Sequence, residues 1–305
     1  MDILVTGGAG FIGSNLTEQL VAEGHSVIVL DNMHTGSISN LTSVKDKIKL
    51  VQGNCKNIGK ALPKNIDAIF HFGIPSSTPM YKANPYLVGE TIKEATAIFE
   101  YAKENKVKRI VIAGSSSVYN EQPPPHREGM PIKVTDFYTE ARLAIERLAE
   151  LYRKLFDVSS IILRFFSVYG PHEEAKKQYA NMITQFIWNF KRNEPPIIYG
   201  DGNQTRDFIY IQDVVDACLL ALTCNIQYDI FNVGTGKAYT FNQIIEILNR
   251  KMTLNIKPKY IPNPIKNYVT HTLADTKKAE EKLKFKAKYT LEEGIEKLLQ
   301  YYNKQ

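Results

Sequence analysis

A parallel α/β sheet wound on both sides is the architecture this sequence predicts, and two observations carry the prediction. Short runs rich in Val, Ile and Leu recur through the first half of the chain, and amphipathic segments of helical period separate them. The runs are residues 3–5, 27–30, 48–51, 68–72 and 110–113, each apolar enough to be buried on both faces, as strands of a parallel sheet are. Helices are expected over residues 14–23, stopped by Gly24, and over residues 85–105. A third, over residues 138–156, leads into a further apolar strand at 160–165. Strand and helix in repetition mean βαβ units.

At 305 residues the chain has room for about two domains, on a prior of ~150 residues each. Residues 1–170 are expected to form the sheet domain. After Gly170-Pro171, longer loops and scattered prolines mark a smaller mixed α/β domain from residues 171–206 and 234–305, with 207–233 packing back on the first. Hydrophobic residues at 44% and charged residues at 23% exclude a disordered chain and a disulfide-stapled miniprotein. Met1-Asp2 runs straight into the first strand, and no stretch approaches ~18 uninterrupted apolar residues, so neither secretion nor membrane insertion is expected. The three cysteines, Cys55, Cys218 and Cys224, lack metal-ligand spacing and predict a reducing, cytoplasmic setting. The formal charge of +6 is local: six lysines fall between Lys277 and Lys288. Without aromatic residues interleaved in a recognisable nucleic-acid motif, they read as a solvated helical face and not as a nucleic-acid patch.

The richest signal is Thr6-Gly7-Gly8-Ala9-Gly10-Phe11-Ile12-Gly13, set between a strand and a helix. Gly8-x-Gly10-x-x-Gly13 satisfies the dinucleotide fingerprint: a tight turn, close backbone approach to a pyrophosphate, and close helix–strand packing. The helix start then offers free N–H groups to the phosphates. Asp31 lies 18 residues past Gly13, at the end of the second strand. A carboxylate there accepts from the adenosine ribose hydroxyls and repels a 2′-phosphate, which selects NAD over NADP. The alternative for Asp31 is the cap of a strand-end turn. With the fingerprint in place, the fold expected is a Rossmann-type sheet carrying a smaller substrate domain.

Five further segments extend the pattern. They are Ser115-Ser116-Ser117-Val118-Tyr119; Arg164 to Pro171; Arg206 to Val214; Phe231 to Gly236; and Ala274-Asp275-Thr276. With the glycine loop and Asp31-Asn32, they make the chain resemble the extended short-chain dehydrogenase/reductase superfamily over nearly its whole length. Within it the likeness is to nucleotide-sugar epimerases and dehydratases, most of all the UDP-hexose 4-epimerase branch. The resemblance implies that NAD oxidises a sugar carbon transiently, that Tyr138 takes the hydroxyl proton, and that the residue four positions on holds the nicotinamide ribose and activates the tyrosine. Positions i and i+4 do share a helix face, and a phenol with an unperturbed pKa of ~10 needs a nearby positive charge to act as a base near neutrality. Here that position is Arg142, where the family has lysine. Arginine keeps the charge but adds a planar, bulkier fork. Two readings follow: an epimerase that tolerates arginine, or a catalytically weak NAD- or nucleotide-sugar-binding protein.

The resemblance also implies a cofactor shell of Gly7, Gly10, Phe11, Ile12, Gly13, Asp31, Asn32, Asn54, Cys55 and Phe72 beside Tyr138 and Arg142. Ser115 corresponds to the hydroxyl that bonds the reacting group, with Ser116 and Ser117 where related dehydratases carry an acidic pair. Hydroxyls alone at these positions disfavour dehydration and favour redox-neutral epimerisation, with a reductase as the other enzymatic reading. Other departures are Phe72-Gly73-Ile74 after the fourth strand, Ser167 for an asparagine, Asn54 for an acid, and Phe137 for a proline. On the substrate side the resemblance assigns Arg206 to a diphosphate, Asn181 and Tyr199 to the nucleobase, and Lys266 to the second phosphate. It implies a UDP-sugar substrate and a homodimer through the helices near residues 85–105 and 138–156.

Overall fold

The computed structural model, which describes residues 1–62, 65–265 and 268–304, places seven strands in one parallel sheet. They are β1 (Asp2–Thr6), β2 (Ser26–Asp31), β3 (Ile48–Gln52), β4 (Ala68–His71), β5 (Arg109–Ser115), β6 (Ser160–Phe165) and β11 (Tyr228–Val233), ordered β11-β6-β5-β4-β1-β2-β3. The chain order reverses at β1, flanked by β2 and β4, and ligands of such sheets bind at the crevice this switch opens.

Side chains alternate between the two faces of each strand. Ile3 and Val5 join Leu16 and Leu20 of α1 (Phe11–Ala22) in one buried cluster. Leu4, Ile28 and Ile69 join a second cluster on the opposite face. That face is covered by α4 (Leu87–Glu104) and α5 (Phe137–Phe156), after the short helices α2 (Ile58–Ala61) and α3 (Thr78–Ala83). Asp136 caps α5 by accepting from the Thr139 N–H at 2.9 Å.

Two expectations need correction here. β3 is not buried on both faces: as the outer edge of the sheet it leaves Lys49 and Leu50 exposed, because no strand covers its far side. α1 starts at Phe11 and not at residue 14, since extended Gly10 is its N-cap, which brings Gly13 into the first helical turn. Gly24, at φ +80°, ends it as expected.

β7 (Ser167–Tyr169) pairs with β10 (Phe208–Tyr210), and α7 (Ile211–Thr223) then packs against α1 before β11 rejoins the sheet. Around the remaining helices, α6 (Met182–Lys191), α8 (Phe241–Met252) and α9 (Leu291–Asn303), lie two small strand pairs. β8 (Ile197–Tyr199) pairs with β13 (Lys259–Ile261), and β9 (Thr205–Arg206) with β12 (Tyr239–Thr240). The lysine run forms no long helical face: it is helical over 277–283, π-type across Ala279–Leu283, and then irregular. Three of its six lysines are locally matched, Lys278 and Lys282 to Asp229 and Lys288 to Asp216. Among the described residues no helix is long and apolar enough to cross a membrane.

Candidate active site

The switch between β1 and β4 opens into a cavity of about 900 Å³. One wall is the glycine loop. Gly7 stands at φ +68°, and a Cβ there would lie 2.7 Å from the backbone of Phe72 and Gly73. A Cβ on Gly13 would lie 2.1 Å from the Gly7 carbonyl oxygen. Both contacts are closer than any real Cβ approaches, so the loop folds only with glycine at each position. The spacing that faces the cavity is thus Gly7, Gly10, Gly13, with Phe11 and Ile12 between them. Gly8, the first glycine of the fingerprint read from sequence, packs instead toward Val29. No side chain caps α1, so the amides of its first turn are offered to an anion.

Asp31 closes the next wall and makes the strand-end turn considered for it. Its carboxylate accepts from the Met33 N–H at 2.8 Å, a strand-end turn, and from the Ala9 N–H at 2.9 Å, inside the glycine loop. Burial raises its pKa, and the backbone donors oppose that rise. Each oxygen keeps a lone pair for a ribose hydroxyl. Asn32 donates to the Asn54 side-chain oxygen at 2.8 Å, and both residues line the cavity. Cys55 does not line it: the thiol sits behind the wall, 3.3 Å from where a Cβ on Gly73 would be, and burial pushes it up to about 12. Phe72 lines the floor, edge-on to Phe70 and Phe165.

At the far end stand Ser115, Tyr138 and Arg142. Tyr138 is buried, its ring edge-on to Tyr81 at 5.5 Å. The Arg142 guanidinium lies over the Tyr138 ring, 5.0 Å from its centroid. It does not reach freely toward a ribose, as the resemblance implies. One terminal nitrogen donates to the Ala113 carbonyl at 2.7 Å and the other to the Pro75 carbonyl at 3.1 Å. The fork of arginine explains the difference, since it reaches two carbonyls that a single ammonium could not hold in the same plane. Its charge nonetheless stays beside the phenol. Ser115 accepts from the Ser117 N–H at 3.2 Å and donates to the Ser117 hydroxyl at 3.1 Å, capping the short turn Ser116–Tyr119.

The remaining assignments fall away from the cavity wall. Ser116 and Ser167 do not line it, although Phe166 and Val168 on either side of Ser167 do. Asn181 is the N-cap of α6, accepting from Ile183 at 3.0 Å and donating to the Val168 carbonyl at 2.9 Å. Tyr199 ends β8, and its carbonyl accepts from Gln204 at 2.8 Å. Arg206 is sandwiched between Phe241 and Tyr268, its guanidinium donating to the carbonyls of Thr205, Val269 and Thr270. Lys266 lies outside the described residues.

Two features of the site escape the sequence. Thr6, on the strand feeding the glycine loop, accepts from the amides of Phe72 and Gly73 at 3.2 and 3.1 Å. With both lone pairs taken, its hydroxyl donates to His71 Nδ1 at 2.9 Å, which assigns the imidazole proton to Nε2. Burial, and next the charge of Arg142, hold His71 down to about 3, so it is neutral. The second feature is Lys176, which enters the cavity from the loop after β7. Thr6 opens the glycine motif, but neither His71 nor Lys176 lies in a motif that spacing would single out.

The cradle closed to any Cβ, the uncapped helix start and the buried carboxylate fit the diphosphate and ribose of a dinucleotide, which makes this a dinucleotide-dependent enzyme of the doubly wound class. The chain belongs to the NAD dependent epimerase/dehydratase family, whose sequence profile matches residues 3–234. NAD is its cofactor. It is similar to a putative UDP-glucose 4-epimerase of Methanocaldococcus jannaschii, 32% identical over 98% of this chain and 97% of the relative. Among solved structures, a UDP-glucose 4-epimerase of Thermotoga maritima with UDP-glucose superposes with a TM-score of 0.93 at 28% identity, covering 100% of this chain and 99% of that one. MoeE5 in complex with UDP-glucose and NAD superposes with a TM-score of 0.88 at 30% identity, covering 100% and 99%.

Proposed function

We propose that the chain interconverts 4-epimers of a UDP-hexose, glucose and galactose or their N-acetyl forms, through a transient 4-ketone. The observation that carries the reading is the grouping of Ser115, Tyr138 and Arg142 at one end of the NAD cavity, with hydroxyls and no carboxyl at positions 116 and 117. Bound NAD supplies the reversible hydride acceptor. Tyr138 takes the proton from the sugar hydroxyl and later returns it, with the Arg142 guanidinium over its ring, 5.0 Å from the centroid. Ser115, held by Ser117, orients the reacting hydroxyl. Asp31 fixes the adenosine ribose, and Asn32 and Asn54 flank the adenine. The same reading assigns Arg206 to the substrate diphosphate and Asn181 and Tyr199 to the uracil, in a lobe of residues 171–206 and 234–305 beside the NAD lobe of 1–170. It requires the Arg206 and Asn181 side chains to leave the internal partners they hold in this conformation.

The protein acts as a homodimer through α4 and α5, a reading supported by the exposed apolar side chains Leu151, Leu155 and Phe156 on α5. The cytoplasm is its compartment, consistent with three free cysteines. A second reading, an NAD-binding protein without useful turnover, is favoured by one observation: two backbone carbonyls already occupy the Arg142 guanidinium.

Incubation with NAD and a panel of UDP-glucose, UDP-galactose, UDP-N-acetylglucosamine and UDP-glucuronate separates the readings. Accumulation of a 4-epimer with no net change in NAD is expected. Net consumption of added NADH points to a reductase, and no conversion of any sugar supports the binding protein.

A further inference from the structure

Among the described residues four lysine and arginine side chains line the cavity: Lys56, Lys93, Arg142 and Lys176. Lys56 and Lys93 share their part of the wall with Glu90 and Glu94, and Arg142 is committed to Tyr138 and two carbonyls. Lys176 differs from all three. Its ammonium lies over the ring of Phe11, 5.0 Å from the centroid, and Phe11 is the residue that opens α1. A fully buried carboxylate aims it there: Glu173 accepts from Lys176 Nζ at 2.9 Å. Glu173 also accepts from the Asn181 N–H at 2.9 Å and from the Thr184 hydroxyl, so its position is fixed independently of the lysine. An ammonium has three donors and Glu173 takes one. Two remain for a ligand on the cavity side.

We propose that Lys176 is a cofactor-binding residue, a cation supplied by the loop after β7 that grips the NAD diphosphate opposite the amides of the α1 first turn. The diphosphate is then held from two segments far apart in sequence, the glycine loop and residues 173–176. The inference rests on NAD occupying the glycine cradle and not on the sugar or the reaction, so it survives if the epimerase reading fails. The substrate carries a diphosphate too. Contact with Phe11 assigns the lysine to the cofactor's, because Phe11 belongs to the loop that cradles NAD.

The test is calorimetric and needs no turnover. NAD and adenosine are titrated into the apoprotein of the natural form, Lys176→Met and Lys176→Arg, and UDP into each NAD-loaded form. Lys176→Met should weaken NAD about tenfold, the scale of one charge-assisted hydrogen bond. Its NAD affinity should also depend less steeply on salt, while adenosine binds as before and Lys176→Arg stays near the natural value. Lys176→Gln, which keeps a donor for Glu173, replaces the Met form if that one fails to fold, with the same expectation. Unchanged NAD affinity, an equal loss for adenosine, or a loss confined to the UDP titration would each overturn the proposal.

Discussion

The glycine end of the cavity and the outer lobe that carries Asn181, Tyr199 and Arg206 are built on opposite principles. At the glycine end the backbone makes the site. Gly7 and Gly13 sit where any side chain would collide with main chain, and Asp31 is fixed by the amides of Ala9 and Met33. In the outer lobe side chains carry the assignment, and each already has work within the fold. Asn181 caps a helix, and Arg206 holds three carbonyls between two rings. A site made of backbone constraints admits one residue type per position. A site made of side chains admits several, because the same group serves a cap or a ligand.

Four substitutions sharpen or break this contrast, in falling order of effect. Tyr138→Phe removes only the phenolic oxygen and should lower epimerase turnover by ~10²–10⁴-fold, with NAD affinity unchanged by calorimetry. Retention of most activity would remove Tyr138 as the base. Gly13→Ala places a methyl 2.1 Å from the Gly7 carbonyl. Overpacking of that kind costs about 1–3 kcal/mol, so NAD affinity and the melting temperature should fall together. A stable variant that binds NAD normally would show that the cradle is looser than its geometry requires.

Asp31→Ala should weaken NAD by about 1–3 kcal/mol and narrow its advantage over NADP. Equal affinity of the natural protein for both cofactors would contradict the role given to this carboxylate. Asn181→Ala should cost about 0.5–2 kcal/mol of stability in chemical denaturation, the usual price of an N-cap. If it instead weakened UDP more than it destabilised the fold, the outer lobe would be a binding surface in its present conformation.

The same contrast explains what the sequence revealed. The sheet was legible because continuous apolar runs and the glycine spacing are local patterns. The start of α1 differs because the glycine spacing does not say that extended Gly10 is the cap, and the fingerprint begins at Gly8 although Gly7, named in the cofactor shell, takes the positive φ. β3 differs because its apolar residues Ile48, Leu50 and Val51 outweighed Lys49, the one residue within 48–51 that marks an edge. Lys176 and His71 were invisible because each acquires its role from a partner distant in sequence: Phe11 for the lysine, Thr6 and Arg142 for the histidine. Arg142 could be located by its spacing from Tyr138, but not the carbonyls of Ala113 and Pro75 that hold it.

Arg142 bears most directly on the central claim, that a guanidinium stacked on Tyr138 replaces the activating lysine. The deciding measurement is the pH–rate profile of the natural, Arg142→Ala and Arg142→Lys forms on the best UDP-sugar. Removing the cation that lies over the base should make the Ala form slower across the profile. The Lys form should hold or exceed natural turnover with little movement of the optimum. An Ala form as fast as the natural protein, with the same profile, would contradict the claim and leave Tyr138 without its activating charge.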